Sequence, residues 1–193
     1  MVFADHSADR MLYEMNTSAY GTPMLGVADE KQGSVMPGEA QLLYGLVRAL
    51  RPHTIIEIGT SFGYSTIHLA AGCRDNGKGR VWTVEIHPWR YEMAQLHVRE
   101  AGLSDFVTHC LNDIPTNIAH PCELVFLDAD HTDESVRDYL NRINPLTRSG
   151  CLCVIHDATY DDHVKRAIKD TAWDSLIMLP QTSYAGLAMV QKK

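Results

Sequence analysis

Two apolar runs in this 193-residue chain end on groups that can hold a proton or a cation. LVFLDADH, at 124–131, passes from four apolar residues to Asp128, Asp130 and His131. CLCVIHD, at 151–157, ends on His156 and Asp157. Short apolar runs of this kind read as buried strands that carry charge to their ends. Neighbouring strands lie about 4.8 Å apart, so Asp128 and Asp157 can face one another. Two carboxylates at that distance share a proton or hold a cation. An oxygen-lined pair suits Mg²⁺, and an added imidazole from His156 shifts the preference toward Mn²⁺ and softer ions. An imidazole can accept a proton near neutral pH, which makes His131 a candidate general base. A plainer reading covers the residues that follow: Thr132 caps a helix, with Asp133 and Glu134 in its first turn. Asp130 stays open between a cofactor contact and a solvated loop acid.

A second set surrounds IIEIGTSFGYST, at 55–66, which runs from strand through a glycine turn into a helix. Gly59 and Gly63 have the spacing G-x-x-x-G rather than G-x-G-x-x-G. Glycines there permit positive φ and close approach of backbone to a ligand. Glu57 is an acid inside an apolar strand, costly to bury without a partner. A ligand's ammonium group is a suitable partner, whereas a diphosphate would be repelled. Ser61 and Ser65 flank the helix start and can receive a ligand carboxylate. VWTVE then ends on Glu85, 26 positions after Gly59, with apolar Ile86 next. An acid at the end of the second strand can accept hydrogen bonds from ribose hydroxyls, and the following side chain can pack on adenine. Together these residues suggest an adenosine-bearing cofactor with an amino-acid end.

These side chains must be positioned by alternating strands and helices. The pattern predicts a helix at 8–16, loop at 17–36 and a helix from Pro37 ended by Arg51-Pro52. Strands follow at 54–59, 81–85, 106–110, 124–128 and 151–156, separated by helices at 64–71, 88–101 and 133–143. After a helix at 161–172, SLIMLP and GLAMVQ read as two strands joined by a loop too short for a crossover helix. The expected fold is α/β: a doubly wound Rossmann-like sheet of seven strands, mostly parallel, with a C-terminal antiparallel hairpin. Ligands of such sheets bind at the carboxyl ends of the strands, where the residues above fall.

Composition restricts the partners. The net charge is −7, with 45% hydrophobic residues and no basic run, so neither nucleic acid nor a membrane is an expected partner. The five cysteines have no framework spacing and read as reduced core thiols. The early charges of MVFADHSADR do not suit a signal peptide, so a cytoplasmic protein is expected. One domain spans 1–193.

The combination EIGTSFGYS, VEI, FLDADH and the terminal hairpin resembles the class I S-adenosylmethionine (SAM) methyltransferases. More narrowly, the chain is similar to the metal-dependent catechol and caffeoyl-CoA O-methyltransferases and their bacterial relatives, from about residue 36 to the end. The resemblance implies SAM as cofactor, met by Met36, Glu57, Gly59, Ser61, Gly63, Ser65, Glu85, Ile86, Asn112 and Asp128. It implies a divalent metal, Mg²⁺ or Mn²⁺, at Asp128, Asp157 and His156, with Asp128 and His131 in catalysis. The family often has lysine at the position of His131, and Asp-Asn where this chain has Asp157-Ala158. Residues 1–36 would form a helix and loop covering the site. The acceptor would be a small hydroxylated molecule, and a homodimer stays open. Three alternatives remain: metal-independent N- or O-methylation with His131 as base, a non-catalytic SAM-binding module, and a nicotinamide oxidoreductase, which Glu57 and the glycine spacing disfavour.

Overall fold

The computed structural model describes residues 35–159, 162–169, 171–180 and 186–193. The expected helix at 8–16, most of the covering loop, Tyr160 and Asp161 lie outside the described residues.

Pro37 opens α1 (Pro37–Leu50), whose buried face is Glu39, Ala40, Leu43 and Val47. The helix stops at Arg51, in the left-handed region at φ 51°, just before Pro52. β1 (Thr54–Ile58) is buried throughout, as expected of a central parallel strand. α2 (Tyr64–Asn76) is buried along most of its length, including Ile67, Leu69, Ala70 and Cys73. β2 (Arg80–Glu85), α3 (Pro88–Glu100), β3 (Val107–Leu111) and β4 (Cys122–Leu127) continue the alternation. Thr132 caps α4 (Asp133–Ile143), its side chain accepting from the Ser135 N–H at 3.1 Å.

β5 (Thr147–His156) begins four residues before the apolar run that marks it, and a register shift at Cys122/Leu124 accommodates the extension. α5 (His163–Ile168) is shorter than the polar stretch suggests. β6 (Trp173–Leu179) and β7 (Leu187–Lys192) close the chain. The sheet has seven strands in the order β3-β2-β1-β4-β5-β7-β6. β1 to β5 pair in parallel, and β7 runs antiparallel to both β5 and β6.

Side-chain alternation divides the core into two faces. Ile55, Phe126 and Val154 join Leu43 and Val47 of α1 and Ile67 of α2. Ile56, Val125 and Ile155 join Val136 and Leu140 of α4 and Trp173. Burying each large side chain contributes about 1.5–3 kcal/mol. The same parity sends Glu57 and His156 toward the α1/α2 face. The five cysteines are unpaired thiols, and Cys73, Cys122, Cys151 and Cys153 are buried. Among the described residues no helix is long and apolar enough to cross a membrane.

Candidate active site

β1 and β4 are sequence-distant neighbours whose following helices pack on opposite faces, so a crevice opens beyond their carboxyl ends. A cavity of about 40 Å³ lies there, lined by Gly59, Thr60, Ser61, Phe62, Ser65 and Asp128 among others. Ser61 (φ 49°), Asn112 (φ 73°) and Asp157 (φ 52°) are non-glycine residues in the left-handed region, all at this edge of the sheet. Strain of this kind gathers at functional sites.

Gly59 has a structural duty stricter than ligand approach. At φ 99°, a Cβ built on it would lie 1.8 Å from the Asp128 carbonyl oxygen. The ends of β1 and β4 can therefore touch only through glycine. Gly63 caps α2 at φ 87°, with Ala94 Cβ at an ordinary 3.4 Å.

Glu57 is fully buried. Its carboxylate accepts from the Ser65 hydroxyl at 2.6 Å and from the Thr66 hydroxyl. It meets the cavity through Ser65, which lines it. Burial pushes the Glu57 carboxyl up to about 7, against the lowering effect of those hydroxyls. The folded chain thus holds this proton more tightly than the unfolded chain, whose ordinary value is 4.5. Stability is full below that value and declines as pH rises toward 7. The cost of the ionised form is on the order of 3 kcal/mol. Glu57→Gln is expected to melt with the native protein at pH 5 and several degrees above it at pH 8. Equal pH slopes for the two proteins would overturn this account.

At the end of β2, Glu85 is buried and organises the loops around it. Oε1 accepts the Ile86 and His87 N–H groups, each at 2.9 Å, and Oε2 accepts the Ser61 N–H at 2.7 Å. The Asn112 N–H donates to the Glu85 carbonyl at 2.8 Å, so the end of β3 joins the same corner. Ile86 is 62% exposed and Trp89 50%, with Phe62 edge-on to Trp89 at 5.4 Å between centroids. This apolar rim stands beside a carboxylate. Phe62 and Trp89 stand beside the residues read from the sequence, and their spacing along the chain does not mark them. Met36 precedes α1 and is partly exposed.

The acidic strand ends converge. His156 Nδ1 lies 3.2 Å from Asp128 Oδ1 and 3.1 Å from Asp157 Oδ1, at ion-pair distance from both but in line with neither for a hydrogen bond. Its Nε2 donates to Glu39 Oε2 at 3.0 Å. Burial alone would lower the His156 imidazole, but Asp128, Asp157 and Glu39 override it and push it up to about 12. Burial would likewise raise the Asp157 carboxyl, but His156 holds it below the ordinary carboxylate range. His131 Nε2 lies 3.3 Å from Asp157 Oδ2 and 4.0 Å from Asp128 Oδ1. Among the described residues, Asp128, His131 and Asp157 form a group whose ligand atoms all lie within 4.8 Å of one another. His156 sits behind that group, buried, with one nitrogen turned to Glu39.

Asp130 is exposed and accepts from the Ser135 hydroxyl at 2.6 Å, so it serves the start of α4. That bond, more than any other contact, holds its carboxyl below the ordinary range. His68 and His97 bond backbone carbonyls at 2.9 and 2.8 Å, as packing residues do. Glu39 is the acid that the sequence reading passed over. Its signal was present: it shares the buried i, i+4, i+8 face of α1 with Leu43 and Val47.

Comparison with known proteins agrees with this architecture. A methyltransferase domain family profile matches residues 56–158. A catechol O-methyltransferase of Mycobacterium tuberculosis is 33% identical over 126 residues, covering 63% of this chain and 56% of that protein. A catechol O-methyltransferase of Niastella koreensis is 30% identical over 168 residues, covering 83% and 74%. The match to the mycobacterial relative thus spans little more than half of its length. An O-methyltransferase from Bacillus cereus, solved with S-adenosylhomocysteine, superposes with a TM-score of 0.69 at 22% identity, covering 100% of this chain and 93% of that one. A Podospora anserina methyltransferase superposes at 0.72 with 18% identity, covering 100% and 98%. Strand order and crevice define a Rossmann-like methyltransferase fold. The chain belongs to the methyltransferase domain family and is similar in sequence to catechol O-methyltransferases.

Proposed function

We propose that this protein transfers the methyl group of SAM to a hydroxyl oxygen of a small molecule, assisted by a divalent cation at Asp128 and Asp157. The observation that carries the reading is the meeting of Asp128, Asp157, His131 and His156 beside the cavity where β1 and β4 diverge. Around His156, three carboxylates face one imidazolium, so the centre is net negative and favours a cation. Oxygen donors with one imidazole fit Mg²⁺ or Mn²⁺, with His131 or His156 as the third donor.

In this reading Glu85 receives the ribose hydroxyls, Ile86 and Asn112 flank the adenine, and the turn 59–65 faces the amino-acid end. Ser65 relays Glu57 to the ammonium, and Met36 lies above. Methyl transfer forms an O–CH₃ bond and breaks an S–CH₃ bond, leaving S-adenosylhomocysteine. His131 takes the proton of the acceptor hydroxyl. A bound cation would lower that hydroxyl's pKa and orient it.

The 3.3 Å contact of His131 with Asp157 favours a second reading, in which Asp157 orients His131 as base without a cation. Removal of divalent ions separates the two. Release of S-adenosylhomocysteine over a panel of hydroxylated acceptors is expected to stop with chelator and resume with Mg²⁺ or Mn²⁺. Chelator-resistant turnover would establish the metal-independent reading. S-adenosylhomocysteine at 100 times its Kd is expected to raise Tm by about 5–10 °C, and NAD to leave it unchanged. A shift with NAD alone would overturn the cofactor assignment. Cofactor binding without turnover on any acceptor would mark a binding module.

A further inference from the structure

Glu39 sits on a helix, 117 positions from the histidine it touches, and is 1% exposed. A buried carboxylate this far inside is costly unless its oxygens are engaged. One oxygen, Oε2, accepts both the Met36 N–H and His156 Nε2, each at 3.0 Å. The Met36 bond ties Glu39 to the start of α1, so the helix cap helps to fix the rotamer that meets the histidine. His156 is equally constrained, being 3% exposed at the end of β5 with its ring edge-on to Phe126. A ring held at Nε2 has one direction left for Nδ1. That direction is the gap between Asp128 Oδ1 and Asp157 Oδ1, 3.2 and 3.1 Å away.

We propose that Glu39 is a positioning residue, which holds His156 by Nε2 so that Nδ1 becomes the imidazole donor to a divalent cation shared with Asp128 and Asp157. The inference rests on the cation reading above and deepens it, because it selects His156 over His131 as the nitrogen donor. A carboxylate behind a ligating histidine fixes the tautomer, orients the ring and makes the ligating nitrogen more basic. Glu39 also joins the cation site to Met36, at the threshold of the segment expected to cover the cofactor. Among the described residues, no buried carboxylate stands behind His131 as Glu39 stands behind His156. Its side chain is 31% exposed, and it reaches the acids from the open side of the crevice, where a proton acceptor for substrate belongs.

Mn²⁺ binding to the purified chain, followed by quenching of the free-ion paramagnetic resonance signal, tests this without turnover. Glu39→Ala and His156→Ala are each expected to bind Mn²⁺ about 10–100-fold more weakly than the native protein. The double variant should bind no more weakly than His156→Ala alone, because Glu39 acts through that ring. Glu39→Gln keeps an acceptor for Met36 and for Nε2 but lacks the charge, and a loss of about 10-fold is expected. Melting curves recorded without metal confirm that each variant is folded, and Glu39→Gln carries the test if Glu39→Ala is not. Native affinity in Glu39→Gln and Glu39→Ala would overturn the proposal. So would losses that multiply in the double variant, or a loss confined to His131→Ala. A native protein that binds no Mn²⁺ would instead remove the cation reading itself, and this inference with it.

Discussion

Asp128→Asn is expected to lower kcat/KM for methyl transfer at least about 100-fold while leaving the protein folded. The backbone of Asp128 is structural, and its side chain is not. Its N–H donates to the Ile58 carbonyl at 2.8 Å and its own carbonyl abuts Gly59, and asparagine preserves both. The carboxylate points instead at His156 Nδ1 and, further off, at His131 Nε2. The substitution takes one charge from a net-negative centre and also one favourable partner from His156, effects of opposite sign, so Tm should change little. The proposed chemistry loses an anionic cation donor, and amide oxygen is a poor replacement. Release of S-adenosylhomocysteine against substrate concentration measures the effect. Turnover within threefold of the native protein would take Asp128 out of the reaction.

Gly59→Ala is expected to do the reverse, damaging the fold before the chemistry. The new methyl would stand 1.8 Å from the Asp128 carbonyl oxygen and 2.6 Å from its carbon. Both are backbone atoms, so no side-chain rotation relieves the clash. Retreat is blocked on either side, because Gly59 N–H donates to the Val84 carbonyl at 3.0 Å and Asp128 N–H to Ile58. The positive φ adds about 1–2 kcal/mol of its own. A total above about 4 kcal/mol is expected, which lowers Tm by about 8–16 °C in a protein of this size. Gly63→Ala serves as the control, since it shares the positive φ and meets Ala94 at ordinary contact distance. A drop for Gly59→Ala no larger than that of the control, about 2–8 °C, would show that the two strand ends separate easily.

The parts of the site that were legible in the sequence were those whose signal is local. Glu85, Asp128 and Asp157 follow apolar runs, so a strand end could be assigned from a few consecutive residues. Thr132 announced the start of α4 by its spacing to the acids after it. Glu39 was missed because its signal is a single acid on an otherwise apolar helix face, which resembles an ordinary first-turn acid. Phe62 and Trp89 carry no local signal, because their meeting at the rim depends on where α3 sits against the α2 turn. The extension of β5 back to Thr147 was hidden by polar residues that pair through a shifted register. Glu57 was recognised as costly, but its partners, Ser65 and Thr66, belong to the next helix and become visible only when that helix folds back over the strand.

By itself the sequence determined most of the strands, their order of appearance and which ionisable residues stand at their ends, because hydrophobic periodicity and turn residues act within a few positions. Tertiary structure alone decided that β7 lies between β5 and β6, and that Gly59 serves the contact of two strand ends. It also decided that His156 turns one nitrogen to Glu39 and the other to a pair of acids. Those outcomes depend on pairing register and side-chain parity between segments up to 117 positions apart, distances over which no local pattern carries information.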